Sequence, residues 1–121
     1  CEMVPKGVET IVGSRRDPSF GPIVLFGLGG IYVEVMKDVS FRAFPISKRE
    51  AMEMIGEIRS FPILLGVRGE KKKDIESISD AIIKIGEVVS RVPEISDFEI
   101  NPLFVYGRGV KAVDVKIILS K

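Results

Sequence analysis

One stripe of branched aliphatic residues constrains this chain most. Ile75, Ile78, Ile82, Ile85 and Val89 recur at three- and four-residue spacing between Asp74 and Val92, the period of a helix that buries one face. Pro93 follows and cannot continue it. The spacing predicts a helix over 74–92 lying on an apolar partner. A shorter helix precedes it. Ser47-Lys48-Arg49-Glu50 is a capping box: the serine hydroxyl accepts from the Glu50 backbone N–H, and the Glu50 carboxylate returns the bond. This helix runs to about Ile58 with Ala51, Met54, Ile55 and Ile58 on one face, and Phe61-Pro62 ends it.

The partner of both helices is predicted to be β structure. Val8 to Val12, Ile23 to Phe26, Ile31 to Val35 and Val39 to Phe44 are short apolar runs, several of them β-branched. Asp17 to Pro22 reads as a turn or loop, and Gly27-Leu28-Gly29-Gly30 as a hairpin connection. A last hairpin takes Ser96 to Tyr106 and Val110 to Leu119, joined at Gly107-Arg108-Gly109. Four strands, two helices and two strands in that order predict an α+β domain, with two helices packed on a mainly antiparallel sheet. A length of 121 residues suits one domain over the whole chain, 1–121. The long charged loop from Arg68 to Lys73 reads as solvated.

Absences narrow the chemistry. The chain has no histidine, so imidazole base chemistry, Ser-His-Asp and Cys-His catalysis and His-ligated zinc are excluded within it. Cys1 is the single cysteine, which excludes an internal disulfide and suits a reducing, cytoplasmic compartment. No apolar run approaches the roughly 18 residues that a membrane span needs, and no targeting signal is visible. A net charge of +1 points to neither nucleic acid nor a membrane surface as partner. There is no glutamine and one asparagine, Asn101, among many Lys, Glu and Arg, a composition that fits a thermophile. A chain beginning with Cys reads as clipped or trimmed; a mature lipoprotein also begins so, without other support here.

The strongest local pattern is Asp97-Phe98-Glu99-Ile100-Asn101-Pro102-Leu103 followed by Ala112-Val113-Asp114-Val115-Lys116. A two-residue loop, Gly107-Arg108 in a type II′ turn with Gly at its first central position, pairs Tyr106 with Gly109. Counting back, Asn101 falls opposite Asp114 and Glu99 opposite Lys116. Alternation then puts Glu99, Asn101, Asp114 and Lys116 on one face, and Phe98, Ile100, Val113, Val115 and Ile117 on the other, buried face. Magnesium prefers hard oxygen ligands, one or two from protein and the rest from phosphate and water. An amide oxygen and a carboxylate on adjacent strands suit it. A hairpin with one wet face would carry the same polar residues without function. A three-residue loop would shift the pairing by one and separate Asn101 from Asp114. Pro102 points to an edge strand or a bulge.

Glu-Ile-Asn-Pro-Leu at 99–103 with Val-Asp-Val-Lys at 113–116 is similar to the C-terminal nucleotide-site motif of succinyl-CoA synthetase β subunits and related ADP-forming acyl-CoA synthetases. Gly7 to Gly13, Arg16-Asp17-Pro18-Ser19-Phe20-Gly21-Pro22, Phe26-Gly27-Leu28-Gly29-Gly30-Ile31, Glu34-Val35, Asp38-Val39, Phe41-Arg42 and Leu65 to Gly69 resemble the ADP-forming acetyl-CoA synthetase β subunit more narrowly. The resemblance covers nearly the whole chain. It implies the C-terminal subdomain of an ATP-grasp fold. It further implies that Asn101 and Asp114 ligate the magnesium of ATP or ADP, and that Glu99 faces a phosphohistidine. Glu2-Met3-Val4 resembles the hinge whose backbone binds adenine, and Glu9 sits where related enzymes carry the acid that binds ribose. Gly29 and Gly30, with Gly27, are placed to let backbone N–H groups approach a phosphate, and they fit a tight hairpin equally well. Arg42 and Arg68 suit phosphate, a partner subunit or plain solvated surface.

The same resemblance implies the reaction acyl-CoA, ADP and phosphate to carboxylate, CoA and ATP, through an acyl phosphate and a phosphohistidine. The N-terminal ATP-grasp subdomain, with its lysines and histidine loop, and the CoA-binding α subunit or domain would lie outside this chain. The chain alone is then expected not to turn over, as a fragment or as part of a split assembly. Three alternatives stay open at this level: a regulatory ATP-grasp module of an acetyltransferase-type fusion, a structural subunit-interface domain, and another ATP-grasp ligase.

Overall fold

The computed structural model describes residues 7–28, 38–59, 61–66 and 72–119. Among them six strands form one antiparallel sheet: β1 Val8–Asp17, β2 Gly21–Leu28, β3 Val39–Ala43, β4 Ile95–Val105, β5 Val110–Ala112 and β6 Val115–Leu119. The order runs β3-β2-β1-β4, and β5 and β6 share the far edge of β4. Three helices accompany them, α1 Lys48–Glu57, α2 Phe61–Leu64 and α3 Ile75–Arg91. The α+β architecture with helices on a mainly antiparallel sheet is as the sequence predicts.

Both long helices begin where their caps say. The Glu50 N–H donates to Ser47 Oγ at 3.1 Å, and the Ser47 N–H to Glu50 Oε1 at 3.0 Å. Ala51, Met54 and Ile55 are buried. On α3 the whole predicted stripe is buried, Ile75, Ile78, Ile82, Ile85 and Val89. Each such side chain contributes about 1.5–3 kcal/mol of gross stabilisation. α3 packs on β1, β2 and β4, and α1 packs on α3, β2 and β3. The core lies between them, with Val12, Val24, Phe26 and Val105 of the sheet facing Met54, Ile55, Ile78 and Ile82. Arg16 reaches from β1 to the C-terminal end of α3. Its Nη2 donates to the Val89 and Val92 carbonyls and its Nε to the Ile95 carbonyl, which satisfies acceptors a helix end leaves free.

The predicted turn between Asp17 and Pro22 forms: Asp17 Oδ2 accepts from the Ser19 and Phe20 N–H groups, and Gly21 closes it at φ 75°. Three expectations need correction. First, Gly27 and Leu28 are strand and not turn; β2 runs through them, and Gly27 pairs with Val39. A Cβ at Gly27 would stand 2.5 Å from Val39 Cγ1 and 2.8 Å from the Asp38 carbonyl, so this glycine serves close strand approach. Ile31 to Val35, Gly29, Gly30 and Arg68 lie outside the described residues. Second, Lys73 is not solvated: it is buried, and its N–H donates to the Leu64 carbonyl at 2.7 Å. Phe61-Pro62 lies past the end of α1, as predicted, and opens the short helix α2.

The third concerns the predicted buried face of the last hairpin. Phe98 and Ile100 pack partly against the core, but Val113, Val115 and Ile117 are 56%, 48% and 48% exposed. The helices cover β1, β2 and β4 and stop short of β6. Alternation assigns a side to these residues without supplying anything to cover it.

Candidate functional site

The site grows from the last hairpin. Its register is the one the two-residue loop predicts: Val105 pairs with Val110, Leu103 with Ala112, Ile100 with Val115 and Glu99 with Lys116. The Tyr106 N–H donates to the Gly109 carbonyl at 3.0 Å. The turn chemistry differs from the type II′ expectation, because the left-handed residue is Gly109, at φ 85°, and not Gly107. Asp74 accounts for the change. Its Oδ2 accepts the Gly109 N–H at 2.6 Å and its own N–H donates to the Tyr106 carbonyl at 2.7 Å. The groups that would otherwise close the turn on itself are held by the cap of α3. The Gly109 N–H above all, with Ser77 and Arg108 behind it, keeps the Asp74 carboxyl below its ordinary range against an opposing cost of burial.

Pro102 produces the bulge its sequence signals, and does so in an interior strand. Thr10 pairs with Leu103 and Val12 with Ile100, so Asn101 and Pro102 together face the one residue Ile11. Such a mismatch re-aims side chains. The Thr10 hydroxyl donates to the Leu103 carbonyl at 2.7 Å and pins the strand beside it. On the other edge the Asn101 N–H donates to the Asp114 carbonyl at 3.0 Å and the Val113 N–H to the Pro102 carbonyl at 3.1 Å. The break between β5 and β6 thus lies against the bulge. Asn101 and Asp114 stand directly opposite each other, and both are exposed.

The sheet face away from the helices carries the rest. Val8, Thr10, Val12 and Ser14 of β1 point to the helix side, so Glu9, Ile11, Gly13 and Arg15 take the open side. Gly13 pairs with Glu99, and Glu99 with Lys116. Gly13, Arg15, Asp97, Glu99, Lys116 and Ile118 line a cavity of about 200 Å³. Arg15 Nε donates to Asp97 Oδ1 at 3.2 Å. Glu9 is exposed on the same face, opposite Phe104. Nothing local in the sequence says that β1 lies beside β4, so Gly13, Arg15 and Asp97 were not legible as residues of this site.

Other candidate residues fare differently. The fork of Arg42 is taken by the Glu57 carboxylate, to which Nη1 and Nη2 both donate. Glu2, Met3, Val4, Gly29 and Gly30 lie outside the described residues. The donor set at Asn101 and Asp114, one amide oxygen and one carboxylate on an exposed ribbon, fits magnesium with its remaining positions left to phosphate and water. No cluster of three or more His, Cys, Asp or Glu gathers among the described residues.

Known proteins share this fold. The ATP-grasp domain family matches residues 1–119. The chain is 56% identical over 117 residues to the acetate–CoA ligase (ADP-forming) I subunit beta of Pyrococcus furiosus, across 97% of this chain and 50% of that protein. It is 46% identical to the acetate–CoA ligase (ADP-forming) I of Archaeoglobus fulgidus, across 99% of this chain and 18% of that one. A solved structure of Ca. Korarchaeum cryptofilum dinucleotide-forming acetyl-coenzyme A synthetase 1 superposes with a TM-score of 0.92 at 47% identity, over 98% of this chain and 56% of that chain. That structure holds coenzyme A and Mg-AMPPCP, with its phosphohistidine segment pointing towards the nucleotide binding site. The chain spans about half the length of the Pyrococcus subunit and less than a fifth of the Archaeoglobus protein. With the match running through both the bulged hairpin and the strands beside it, the chain belongs to the ATP-grasp domain family.

Proposed function

We propose that this chain is the C-terminal, nucleotide- and magnesium-binding subdomain of an ADP-forming acyl-CoA synthetase. Its relatives are acid–thiol ligases of that type. The observation that carries the reading is Asn101 directly opposite Asp114, both exposed, at a bulge in the sheet.

In the complete enzyme acyl-CoA and phosphate give an acyl phosphate and CoA. A histidine takes the phosphoryl group and releases the carboxylate. The phosphohistidine then passes that group to ADP, forming ATP. Phosphoryl transfer depends on positioning and charge neutralisation more than on covalent help. Asn101 and Asp114 hold the magnesium, which neutralises phosphate charge when bound. Glu99 accepts the other ring N–H of the histidine and keeps the ring oriented. Glu9 binds the ribose hydroxyls, the backbone of Glu2, Met3 and Val4 binds adenine, and the N–H groups of Gly29 and Gly30 approach phosphate. The histidine, the phosphate-holding lysines of the N-terminal subdomain and the CoA-binding α subunit or domain come from the rest of the assembly. The Pyrococcus relative being a β subunit supports a partner of that kind. Composition and cysteine usage favour a cytoplasmic enzyme of a thermophile, and no described helix is long and apolar enough to cross a membrane.

The test is Asp114→Ala in the complete enzyme, titrated with Mg-ADP. The expected loss of affinity is about 100-fold, or roughly 2.7 kcal/mol. Unchanged affinity would overturn the reading.

A further inference from the structure

We propose that Lys116 binds the phosphoryl group in transit between the nucleotide and the histidine that Glu99 orients. This deepens the reading above and rests on it. Two cross-strand pairs stand on one ribbon. Asn101 stands opposite Asp114, and two residues along the same ribbon Glu99 stands opposite Lys116. At about 3.3 Å of rise per residue the two pairs lie about 7 Å apart. A magnesium at the first pair touches phosphate oxygens at about 2 Å. The outermost phosphate of a triphosphate held there would be within reach of the second pair.

Charge makes the second requirement. Asp114 and Glu99 are acids, and a phosphoryl group arriving beside Glu99 meets a like charge. The cation that faces Glu99 across the strand is Lys116. Arg15, the other cation of the cavity, is engaged by Asp97 at 3.2 Å. Lys116 forms no ion pair among the described residues, with Glu99 or any other acid. Its long flexible stem carries a compact charge that can follow a moving phosphoryl group.

Shape makes the third. The floor of the cavity opposite Glu99 is Gly13. A Cβ there would come within 3.1 Å of the Phe98 carbonyl and 3.7 Å of Leu25 Cγ. The glycine keeps open a hollow of about 200 Å³ that Glu99 and Lys116 both line. A solvated surface lysine needs no such hollow beside it.

The test compares a triphosphate analogue with a diphosphate in the complete enzyme. Lys116→Met keeps the stem and removes the charge; Lys116→Arg keeps a charge. The expected result for Lys116→Met is a loss of Mg-AMPPCP affinity of about tenfold or more, the size of one charge-assisted hydrogen bond. Mg-ADP has no terminal phosphate to place there, and its affinity stays within about threefold. Phosphohistidine formation from Mg-ATP in a single turnover slows in parallel, and Lys116→Arg recovers much of both. Equal loss for diphosphate and triphosphate, or no loss for either, overturns the proposal. The underlying reading fails separately: Asp114→Ala then leaves both ligands unaffected. If Asp114→Ala weakens both and Lys116→Met weakens neither, only the role of Lys116 falls.

Discussion

The Gly109 amide donates to the Asp74 carboxylate at 2.6 Å, and this bond ties the tip of the last hairpin to the first turn of α3. The same carboxylate caps the helix, accepting from the Ser77 N–H at 3.1 Å and the Ser77 hydroxyl at 2.8 Å. One side chain thus fixes the turn that sets the register of Asn101 against Asp114.

Asp74→Ala removes the cap and the turn anchor together. A cap alone accounts for about 1 kcal/mol, and a hydrogen bond to a charged acceptor for about 1.5 more. Urea denaturation is expected to show a loss of about 2–3 kcal/mol, with faster amide exchange at Gly109. A loss under about 0.5 kcal/mol would show that the anchor contributes nothing.

Acid should act through the same group. The Asp74 carboxyl is held below its ordinary value chiefly by the Gly109 N–H. A carboxyl with a depressed folded value stabilises fully above its unfolded value, near pH 4, and its contribution fades as pH falls through the folded value. Thermal unfolding from pH 7 down to pH 2 should therefore show an acid loss that is smaller in Asp74→Ala than in the parent. Parallel profiles would exclude Asp74 as a source.

Two helical glycines should respond with opposite signs. Gly56 is exposed on α1, and a Cβ there meets nothing within 4 Å. Gly56→Ala is expected to stabilise by about 0.5 kcal/mol, since alanine loses less backbone freedom. Gly86 gains the same propensity, but its Cβ would stand 2.4 Å from Phe44 Cδ1. Overpacking of that kind costs about 1–3 kcal/mol and outweighs the gain. Equilibrium denaturation of both variants decides it; stabilisation by Gly86→Ala would mean that Phe44 moves aside freely.

Arg16 binds the Val89 and Val92 carbonyls at the end of α3 and the Ile95 carbonyl at the start of β4. Arg16→Ala should cost about 1–2 kcal/mol and fray the helix end. Arg16→Lys should recover less than half, because one ammonium cannot span the Val89, Val92 and Ile95 carbonyls as a planar fork does. Hydrogen exchange in the last turn of α3 distinguishes the two.

Much of this molecule was legible before any coordinates. The period of Ile75, Ile78, Ile82, Ile85 and Val89, the Ser47–Glu50 box and the Asn101–Asp114 register all follow from interactions within a few residues or across one short turn. The bulge at Pro102 was signalled by proline chemistry alone. Lys73 and Gly27 were misread because their environments are made by segments distant along the chain, Leu64 and Val39.

The two long helices, the hairpin register and the identity of the opposed amide and acid were readable from the chain alone, because they rest on local periodicity and on counting from a turn. Tertiary structure alone decided that β1 lies beside β4, that Gly13 and Arg15 join Glu99 and Lys116 around one hollow, and that Val115 and Ile117 remain uncovered. Alternation along a strand fixes which side a residue faces. What stands on that side depends on which strand pairs next and how far the helices reach, and neither is written in the neighbouring residues.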